Sequence, residues 1–436
     1  MSEKRELNFW MVVSLVVGNM IGSGIYLLPT TLASIGSISL FSFVTTGLGA
    51  LFLALVFARL GTRYPYTGGP YHYCKRGFGN FIGYLVAYNY WVYLGIGCAG
   101  IATAFSGYFG TVIPSLNGNI QTTIVALILL WIIIGINIAG VFFAGALQLV
   151  MTVLKIVPLI VLTLYGAFFV DTDNLSHFNI SGMSDFSAIS RGSMLVLWGF
   201  LGLESACIPA GEVMHPEKTI PRATILGTLA TAFIYLVATL VIMGVVPNSV
   251  LQASPAPFAH MATVLFGPTG QLLVAFGAMV SCIGTLNGWI LSQSRIAYAA
   301  SNDVLFPKIM GKLGRYDTPS KGLIMSGVFS SFLLLMTANE GVVDTFTRII
   351  TIATFCAIVS YLYTCIADIL LQGKEGNTSY IHVVVALLAF IYVFWAIASI
   401  DIMVVYYGTL MMLFAVPLYA FITYLRRGDN GPQESI

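Results

Sequence analysis

The chain has 436 residues, of which 58% are hydrophobic and only 8% are charged, and its formal net charge is +2. Soluble globular proteins carry about 25% charged residues, so this composition excludes an ordinary soluble domain. Apolar runs of about 20 residues, long enough to cross a hydrocarbon core of ~30 Å, recur along the whole sequence. They lack the alternation that is typical of a membrane β-barrel. The composition therefore predicts an all-α polytopic membrane protein.

In chain order, the apolar runs predict twelve transmembrane helices that are joined by mostly short loops. The first run is too long for a cleavable signal peptide, so we expect the first helix to be retained. We expect no inserted soluble domain. The predicted spans are residues 9–35, 39–62, 79–110, 122–142, 145–170, 191–213, 221–246, 268–299, 321–338, 344–371, 379–399 and 402–425.

The basic residues predict how these helices are oriented. All nineteen Lys and Arg residues except Lys155, Arg191 and Arg348 lie on one side of the predicted spans. We call this side the basic side. Because cytoplasmic loops of membrane proteins are enriched in Lys and Arg, we expect both termini to lie in the cytoplasm.

Span 1 contains the sequence "NMIGSGIYLLP", with the helix-weakening triplet Gly22-Ser23-Gly24 near its centre. Unwound backbone at membrane depth is tolerated only where it is buried in protein or lines a polar cavity. Its free N–H and C=O groups can then bind a ligand, and a helix N-terminus attracts a carboxylate. The alternative interpretation is close helix packing through small residues.

Span 6 reads "SMLVLWGFLGLESACIPAGE", with Gly199 and Gly202 at its centre and Pro209 further on. It follows span 1 by five spans, so the two predicted helices run in opposite directions. Paired glycine-interrupted segments in corresponding positions of two halves indicate the binding site of an inverted-repeat transporter. The two segments together therefore favour broken helices over simple packing.

Glu204 is the one carboxylate that we place near the middle of a span. A charge at the bilayer centre costs at least ~2.5–3.5 kcal/mol, which indicates a function. Glu204 is predicted to attract a cationic substrate, to carry a proton or to hold the unwound segment by accepting backbone hydrogen bonds. Trp198 and Trp289 lie away from the span ends, where an aromatic face can bind a cation. For each tryptophan, plain packing is the alternative.

Little in the sequence indicates a cofactor. The six cysteines have no paired spacing and are expected to be small buried residues, and the five histidines are scattered. We find no metal motif, no nucleophile–base group and no P-loop. The sequence therefore predicts no metal, no cofactor and no nucleic-acid partner, and it disfavours an enzyme or a nucleotide-driven pump.

Six segments together resemble the amino acid–polyamine–organocation superfamily: "GNMIGSGIYLLP", "TGGPYHYCKRGFG", "LWGFLGLESA", "HPEKTIPRATILG", "GWILSQSRIAYAASNDVLFP" and "YLYTC". The resemblance covers nearly the whole chain and is closest to the basic amino acid/polyamine antiporter group, in particular to arginine/agmatine exchangers. It implies a five-plus-five inverted repeat with spans 1 and 6 broken at mid-membrane. The implied repeats are residues 9–170 and 191–371, with two additional helices at 379–425. Members of this group form dimers, which makes a homodimer a further expectation.

The resemblance also implies that the substrate binds between the two breaks. Its carboxylate would meet N–H groups around Ser23 and Gly24, and its α-amino group would meet carbonyls near Met20 and Trp198. The substrate-binding residues implied in this way are Met20, Ile21, Ser23, Gly24, Cys98, Ile101, Trp198, Gly199, Leu201, Trp289 and Ala353. The residues implied in gating or proton coupling are Glu204, Tyr71, Tyr90 and Tyr361.

Several positions depart from the arginine exchangers. An asparagine of the guanidinium pocket is Cys98 here, a neighbouring small residue is Tyr93, and two serines are Gly199 and Ala353. A buried guanidinium needs partners for its five donors, and these changes remove polar groups. A smaller or less polar amine therefore fits as well as arginine.

Lys155 is a further departure, because the arginine exchangers are apolar at this position of span 5. Relatives that transport neutral amino acids carry a lysine there, whose ammonium resembles a replacement for a bound sodium ion. A buried lysine can exchange a proton or stay charged as a strut against the free carbonyls of span 1. The remaining alternative is an ammonium that reaches the membrane interface.

Taken together, these features predict a cytoplasmic-membrane transporter that exchanges a basic amino acid for a related amine or amino acid by alternating access. The alternative is proton-coupled transport of neutral amino acids through Lys155. The expected partners are a small amino acid or amine and the lipid bilayer.

Overall fold

The protein folds into α-helices. The structure is a computed structural model that describes residues 5, 7–254, 256–316, 318–339, 341–376 and 379–429, without the side chains of 141–147 and 425–429. The helices are α1 (Phe9–Met20), α2 (Ser23–Ala33), α3 (Ser39–Arg63), α4 (Pro70–Phe78), α5 (Asn80–Val112), α6 (Asn119–Ala139), α7 (Val141–Gly166), α8 (Asp185–Leu197), α9 (Pro216–Val245), α10 (Asn248–Ala253), α11 (Pro257–Asn302), α12 (Ser320–Met336), α13 (Val342–Lys374), α14 (Tyr380–Ala398), α15 (Ile402–Leu413) and α16 (Ala415–Asp429).

The described helices account for all twelve predicted spans. Eleven helical stretches are long and apolar enough to cross a membrane, and the 17-residue α12 is a shorter apolar helix. α11 has 46 residues because two helices meet at Gly267, whose φ is +70°, just before Pro268. This kink coincides with the predicted start of span 8. Span 12 consists of α15 and α16, which meet at Phe414.

The spans differ in how much of their surface other helices cover. In the most apolar windows of spans 1 and 3, 89% of the residues are buried, whereas the values for the last two spans are 28% and 11%. Spans 1 and 3 therefore form the centre of the protein. Spans 11 and 12 lie at the periphery, where their apolar side chains can face lipid. All six cysteines are buried and unpaired, as predicted.

The helix contacts define two groups. In the first group, α3 packs against α8 and α9, and α1 packs against α9. In the second group, α11 packs against α5 and α6, and α12 packs against the same two helices. α7 contacts both α1 and α11, and α13 contacts both α3 and α5. This arrangement places the broken spans 1 and 6 against a separate group of unbroken helices. The division into two inverted repeats stays a prediction.

A close contact between α3 and α14 gives a test of this packing. A methyl group at Gly49 would overlap the ring of Tyr392, whereas one at Gly47 would lie 3.6 Å from the Cβ atom of Ala232, an ordinary contact. Overpacking of this kind costs about 1–3 kcal/mol. We expect Gly49→Ala to lower the midpoint of thermal unfolding in detergent and Gly47→Ala to leave it unchanged or raise it. Equal midpoints for the two variants would contradict the described packing of α14.

Candidate functional site

The break in span 1 lies where the glycine triplet predicted it. α1 ends at Met20 and α2 begins at Ser23, so Ile21 and Gly22 are not helical. A Cβ atom at Gly22 would lie 2.7 Å from the side chain of Thr285 on α11. Only glycine therefore lets α11 approach the broken backbone this closely.

Side chains from other helices satisfy the carbonyl groups that the break leaves free. The hydroxyl of Thr285 lies 3.0 Å from the Gly18 carbonyl oxygen and 3.2 Å from that of Ile21. The hydroxyl of Tyr235, on α9, donates to the Met20 carbonyl at 2.5 Å. These bonds replace the helical partners of the broken segment, as the membrane interior requires.

Lys155 belongs to the same group of donors. Its side chain is fully buried, and its ammonium donates to the carbonyl of Gly18 and to the hydroxyl of Thr285, the latter at 3.0 Å. Its described partners are neutral oxygen atoms. This buried position disagrees with an ammonium at the membrane interface, whereas the strut and the proton-exchange roles both stay predictions.

The break in span 6 is longer than that in span 1. α8 ends at Leu197, and the chain continues as short 3₁₀ turns at Trp198–Phe200, Ser205–Cys207 and Ala210–Glu212. Gly202 has φ +106°, and a Cβ atom there would lie 2.9 Å from the Cβ atom of Asn19. The prediction of a broken span 6 is confirmed, although no α-helix resumes before the next span within the described residues.

The two breaks touch each other. A Cβ atom at Gly24 would lie 3.3 Å from the Cα atom of Gly199. The side-chain amide of Asn19 donates to the hydroxyl of Ser205 at 2.8 Å. The structure therefore brings the predicted backbone sites of spans 1 and 6 together.

Aromatic rings surround this junction. The rings of Trp198 and Trp289 have centroids 5.1 Å apart, and Tyr93 meets Trp289 edge-on at 5.5 Å. Phe346 meets Trp198 edge-on at 6.3 Å. Trp289 also donates its indole N–H to the Asn19 carbonyl at 3.2 Å. Both tryptophans are buried, so they line the site rather than anchor the protein at the membrane interface.

Glu204 lies beside this junction and is completely buried. One carboxylate oxygen accepts hydrogen bonds from Tyr90 and, at 3.0 Å, from Tyr93. The other accepts one from Tyr361 at 2.5 Å and one from the Gly202 N–H at 3.3 Å. Tyr90 and Tyr361, two of the residues implied in gating or proton coupling, thus contact Glu204. Tyr93 is a third tyrosine partner, which the sequence analysis treated only as a departure in the pocket.

A chain of buried amides extends from the junction and was missed in the sequence. Gln148 on α7 lies 3.5 Å from the side-chain oxygen of Asn19 and 3.3 Å from the amide nitrogen of Asn287. Asn137 on α6 donates to Asn287 at 2.9 Å. Asparagine and glutamine inside apolar runs are costly, and that signal could have identified these residues.

The other predicted residues differ in their surroundings. The Ser23 hydroxyl is buried and has no hydrogen-bond partner among the described residues, so it is available to a ligand. The pocket residues whose side chains are apolar or thiol-bearing are all fully buried: Cys98, Ile101, Leu201 and Ala353. Met20 and Ile21 lie at the break, with their carbonyls bonded to other helices.

Tyr71 lies away from Glu204, on the basic side. It donates to Asp303, which also binds Lys75 at 2.8 Å. Burial, together with this hydrogen bond, raises the pKa of Tyr71, so its phenol stays a neutral donor. A further ion pair joins Arg295 on α11 to Glu212 at 2.9 Å, just after the span-6 break.

Two more ion pairs close the basic side between α3 and the end of α13. Arg59 binds Asp368, and Arg63 binds Glu375 at 3.2 Å. Tyr64 also donates to Glu375, and burial followed by this bond raises the pKa of Tyr64 to about 12. We call Glu204 and its partners Tyr90, Tyr93 and Tyr361 the Glu204 cluster. The ion pairs and this cluster together close the protein on the basic side of the junction.

The opposite side contains a large open cavity, which we call the vestibule. It has a volume of about 1260 Å³ and lies between the end of α2, the start of α8, the start of α13 and the connection from α14 to α15. At its base it is lined by Met194 and Leu195, one turn before Trp198. Thr31 and Thr347 both line the vestibule, and their hydroxyl oxygens lie 3.5 Å apart.

This combination of broken helices, buried acid and one-sided vestibule agrees with the comparison to known families. The sequence model of the amino acid permease family matches residues 7–426. The chain belongs to the amino acid permease family. The predicted superfamily is thereby confirmed.

Alignments with curated relatives extend over most of this permease. The cadaverine/lysine antiporter of Escherichia coli (strain K12) is 31% identical over 91% of this chain and 90% of its own. The putrescine transporter PotE of the same strain is 32% identical over 97% of each chain. A putative arginine/ornithine antiporter of Bacillus subtilis (strain 168) is 31% identical over 84% of each chain. The permease is thus similar to antiporters of basic amino acids and polyamines.

Gly202 allows a test of the junction. A side chain there would adopt an unfavourable φ, which costs about 1–2 kcal/mol, and it would also push against Asn19. Gly182 has φ +72° in a loop and no atom within 4 Å of its Cβ position, so it controls for the backbone cost alone. We expect Gly202→Ala to abolish uptake and lower the thermal midpoint, and Gly182→Ala to retain uptake. Normal uptake by Gly202→Ala would show that the two breaks need not touch.

Proposed function

We propose that this permease exchanges a basic amino acid for a related amine or amino acid across the cytoplasmic membrane by alternating access. The observation that carries the proposal is Glu204, a buried acid beside two broken helices whose described partners are neutral. A cationic substrate would supply the positive charge that this acid lacks. The adjacent faces of Trp198 and Trp289 suit the same cation.

The other end of an amino acid fits the start of α2. Ser23 begins this 11-residue helix, and its hydroxyl is one of the buried groups without a described partner. A helix N-terminus carries partial positive charge and free N–H groups, which favour a carboxylate. An amino acid bound with its carboxylate at Ser23 would direct its remaining groups toward the aromatic rings.

The pocket supports an ammonium more readily than a guanidinium. Cys98, Gly199 and Ala353 supply no strong acceptor, whereas a guanidinium has five donors to satisfy. An ammonium has three donors and needs fewer partners. We therefore propose lysine or ornithine, or the diamines derived from them, ahead of arginine, in line with the names of the relatives.

The difference between the two sides supports alternating access. With the basic side in the cytoplasm, this structure is closed inward by the Glu204 cluster and the ion pairs, and its vestibule opens outward. Rocking of the first helix group against the second would open the basic side and close the vestibule. Protonation of Glu204 would release its tyrosine partners and thereby link exchange to pH.

Exchange in liposomes tests this proposal. Liposomes that contain the purified protein and are loaded with unlabelled putrescine or cadaverine should take up labelled ornithine or lysine. The same liposomes without internal amine should take up little. We expect Glu204→Gln to reduce cation exchange at least tenfold or to remove its pH dependence. Glu217 is an exposed acid on the basic side, so Glu217→Gln serves as the matched control and should behave as the wild type. A Glu204→Gln variant with normal affinity, rate and pH dependence would refute the role of Glu204.

A second candidate function rests on Lys155 and its bond to the Gly18 carbonyl. If this ammonium loses its proton during transport, the permease would couple neutral amino acid uptake to a proton gradient. If it stays charged, it would only hold the span-1 break.

The two roles predict different results for Lys155 variants. As a strut, Lys155→Ala should lower uptake severalfold while the pH profile of the remaining activity stays that of the wild type. As a proton carrier, the same variant should lose its response to an inward proton gradient. The measurement is uptake of labelled neutral and basic amino acids into empty vesicles with and without such a gradient, with exposed Lys218→Gln as the control. Gradient-driven neutral uptake by the wild type would favour the second candidate over exchange.

A further inference from the structure

The vestibule carries an unusual set of charges. Among the described residues that line it, the charged ones are Arg191, Asp344, Arg348 and Asp401. All four of these residues are exposed. Two positive and two negative groups thus surround the space above the substrate junction.

The two arginines stand out against the charge distribution of the whole chain. Apart from the buried Lys155, they are the only Lys or Arg residues that the predicted topology places away from the basic side. Basic residues on that face act against the orientation preference of membrane proteins. Both arginines nevertheless line one cavity, which argues for a function in that cavity.

The position of the arginines connects them to the substrate path. Arg191 lies on α8 about two turns before Trp198, the first residue of the span-6 break. Arg348 follows Thr347, which lies beside Thr31 in the vestibule, and Phe346, whose ring contacts Trp198. The two arginines therefore lie on the segments that bring Trp198 and Phe346 into contact at the junction.

We propose that Arg191 and Arg348 form an outer recruiting site for the carboxylate of an amino acid, which distinguishes it from a diamine. This inference rests on the proposed exchange function. An amino acid presents a carboxylate to the arginines and an ammonium to Asp344 and Asp401. A diamine presents only ammonium groups, which the two aspartates attract but the arginines repel, so it gains less from the vestibule than an amino acid does. The vestibule would thus favour uptake of the amino acid and escape of the diamine.

Sided membrane vesicles test the recruiting site. Right-side-out vesicles present the vestibule, and inside-out vesicles present the basic side. The probes are labelled ornithine with putrescine, or lysine with cadaverine, whichever pair the wild type exchanges. Arg191→Gln should raise the external half-saturation concentration of the amino acid about three- to tenfold and leave that of the diamine unchanged or lower. These exposed charges are screened by salt, so the wild-type preference should also shrink at high ionic strength.

Matched variants separate charge from structure. Arg191→Lys should retain most of the preference, because it keeps the positive charge. Arg315→Gln removes an exposed arginine on the basic side and should leave the external half-saturation concentrations of both probes unchanged. In inside-out vesicles, Arg191→Gln should have the same half-saturation concentrations as the wild type for the amino acid and for the diamine. If Arg191→Gln does not fold, Arg348→Gln and the salt dependence of the wild type provide the same comparison.

The possible failures can be told apart. Wild-type vesicles that exchange neither pair would refute the proposed function itself. A wild type that exchanges, with unaltered external half-saturation in Arg191→Gln and Arg348→Gln, would overturn the recruiting site alone. Equal changes for amino acid and diamine, or a loss of maximal rate only, would likewise overturn it, because a structural role predicts that result.

Discussion

The structure depends on how the carbonyl groups are satisfied where α1 stops in the middle of the membrane. No water reaches hydrocarbon, so each free carbonyl must find a donor inside the protein. Lys155 and Thr285 bind at Gly18, Tyr235 binds at Met20 and Trp289 binds at Asn19. These donors come from α7, α9 and α11. The break is therefore held by three helices that surround it, and it cannot form without them.

This arrangement leaves the two ends of the break chemically different. At the end of α1, the free carbonyls accept hydrogen bonds from protein donors, and one of these donors is the side-chain nitrogen of Lys155. The amide end, at Ser23, keeps a buried hydroxyl without a described partner. In the proposed function, the start of α2 favours a carboxylate and Glu204 supplies negative charge on the span-6 side. The proposed amino acid substrate would carry its own two charges in the complementary order.

The sequence predicted the features that depend on a single segment and missed those that depend on packing. Span lengths, the breaks and the mid-span position of Glu204 follow from apolar runs, glycines and an isolated acid. Thr285 was not singled out, and Tyr93 was noted only as a departure in the pocket, because threonine and tyrosine are ordinary in apolar helices. Their roles arise only when α5 and α11 bring them against residues far away in the chain. The amides of Gln148 and Asn287 gave a local signal, but their shared network required the fold.

The proposed alternating access needs some contacts that persist and others that break. Leu7 pairs with Glu212 and Met214 through the backbone, and Asn19 binds Ser205, so these contacts join the two breaks. In the proposed mechanism, the first half of span 1 and the end of the span-6 break would move together. Arg295 joins this unit to α11 and would release Glu212 when the basic side opens. Arg63 and Glu375 are partly exposed, and exposed ion pairs contribute only about 0–1 kcal/mol, whereas Arg59 and Asp368 are largely buried. In the proposed mechanism, substrate binding would have to favour the opened state by enough to offset the loss of the buried contacts.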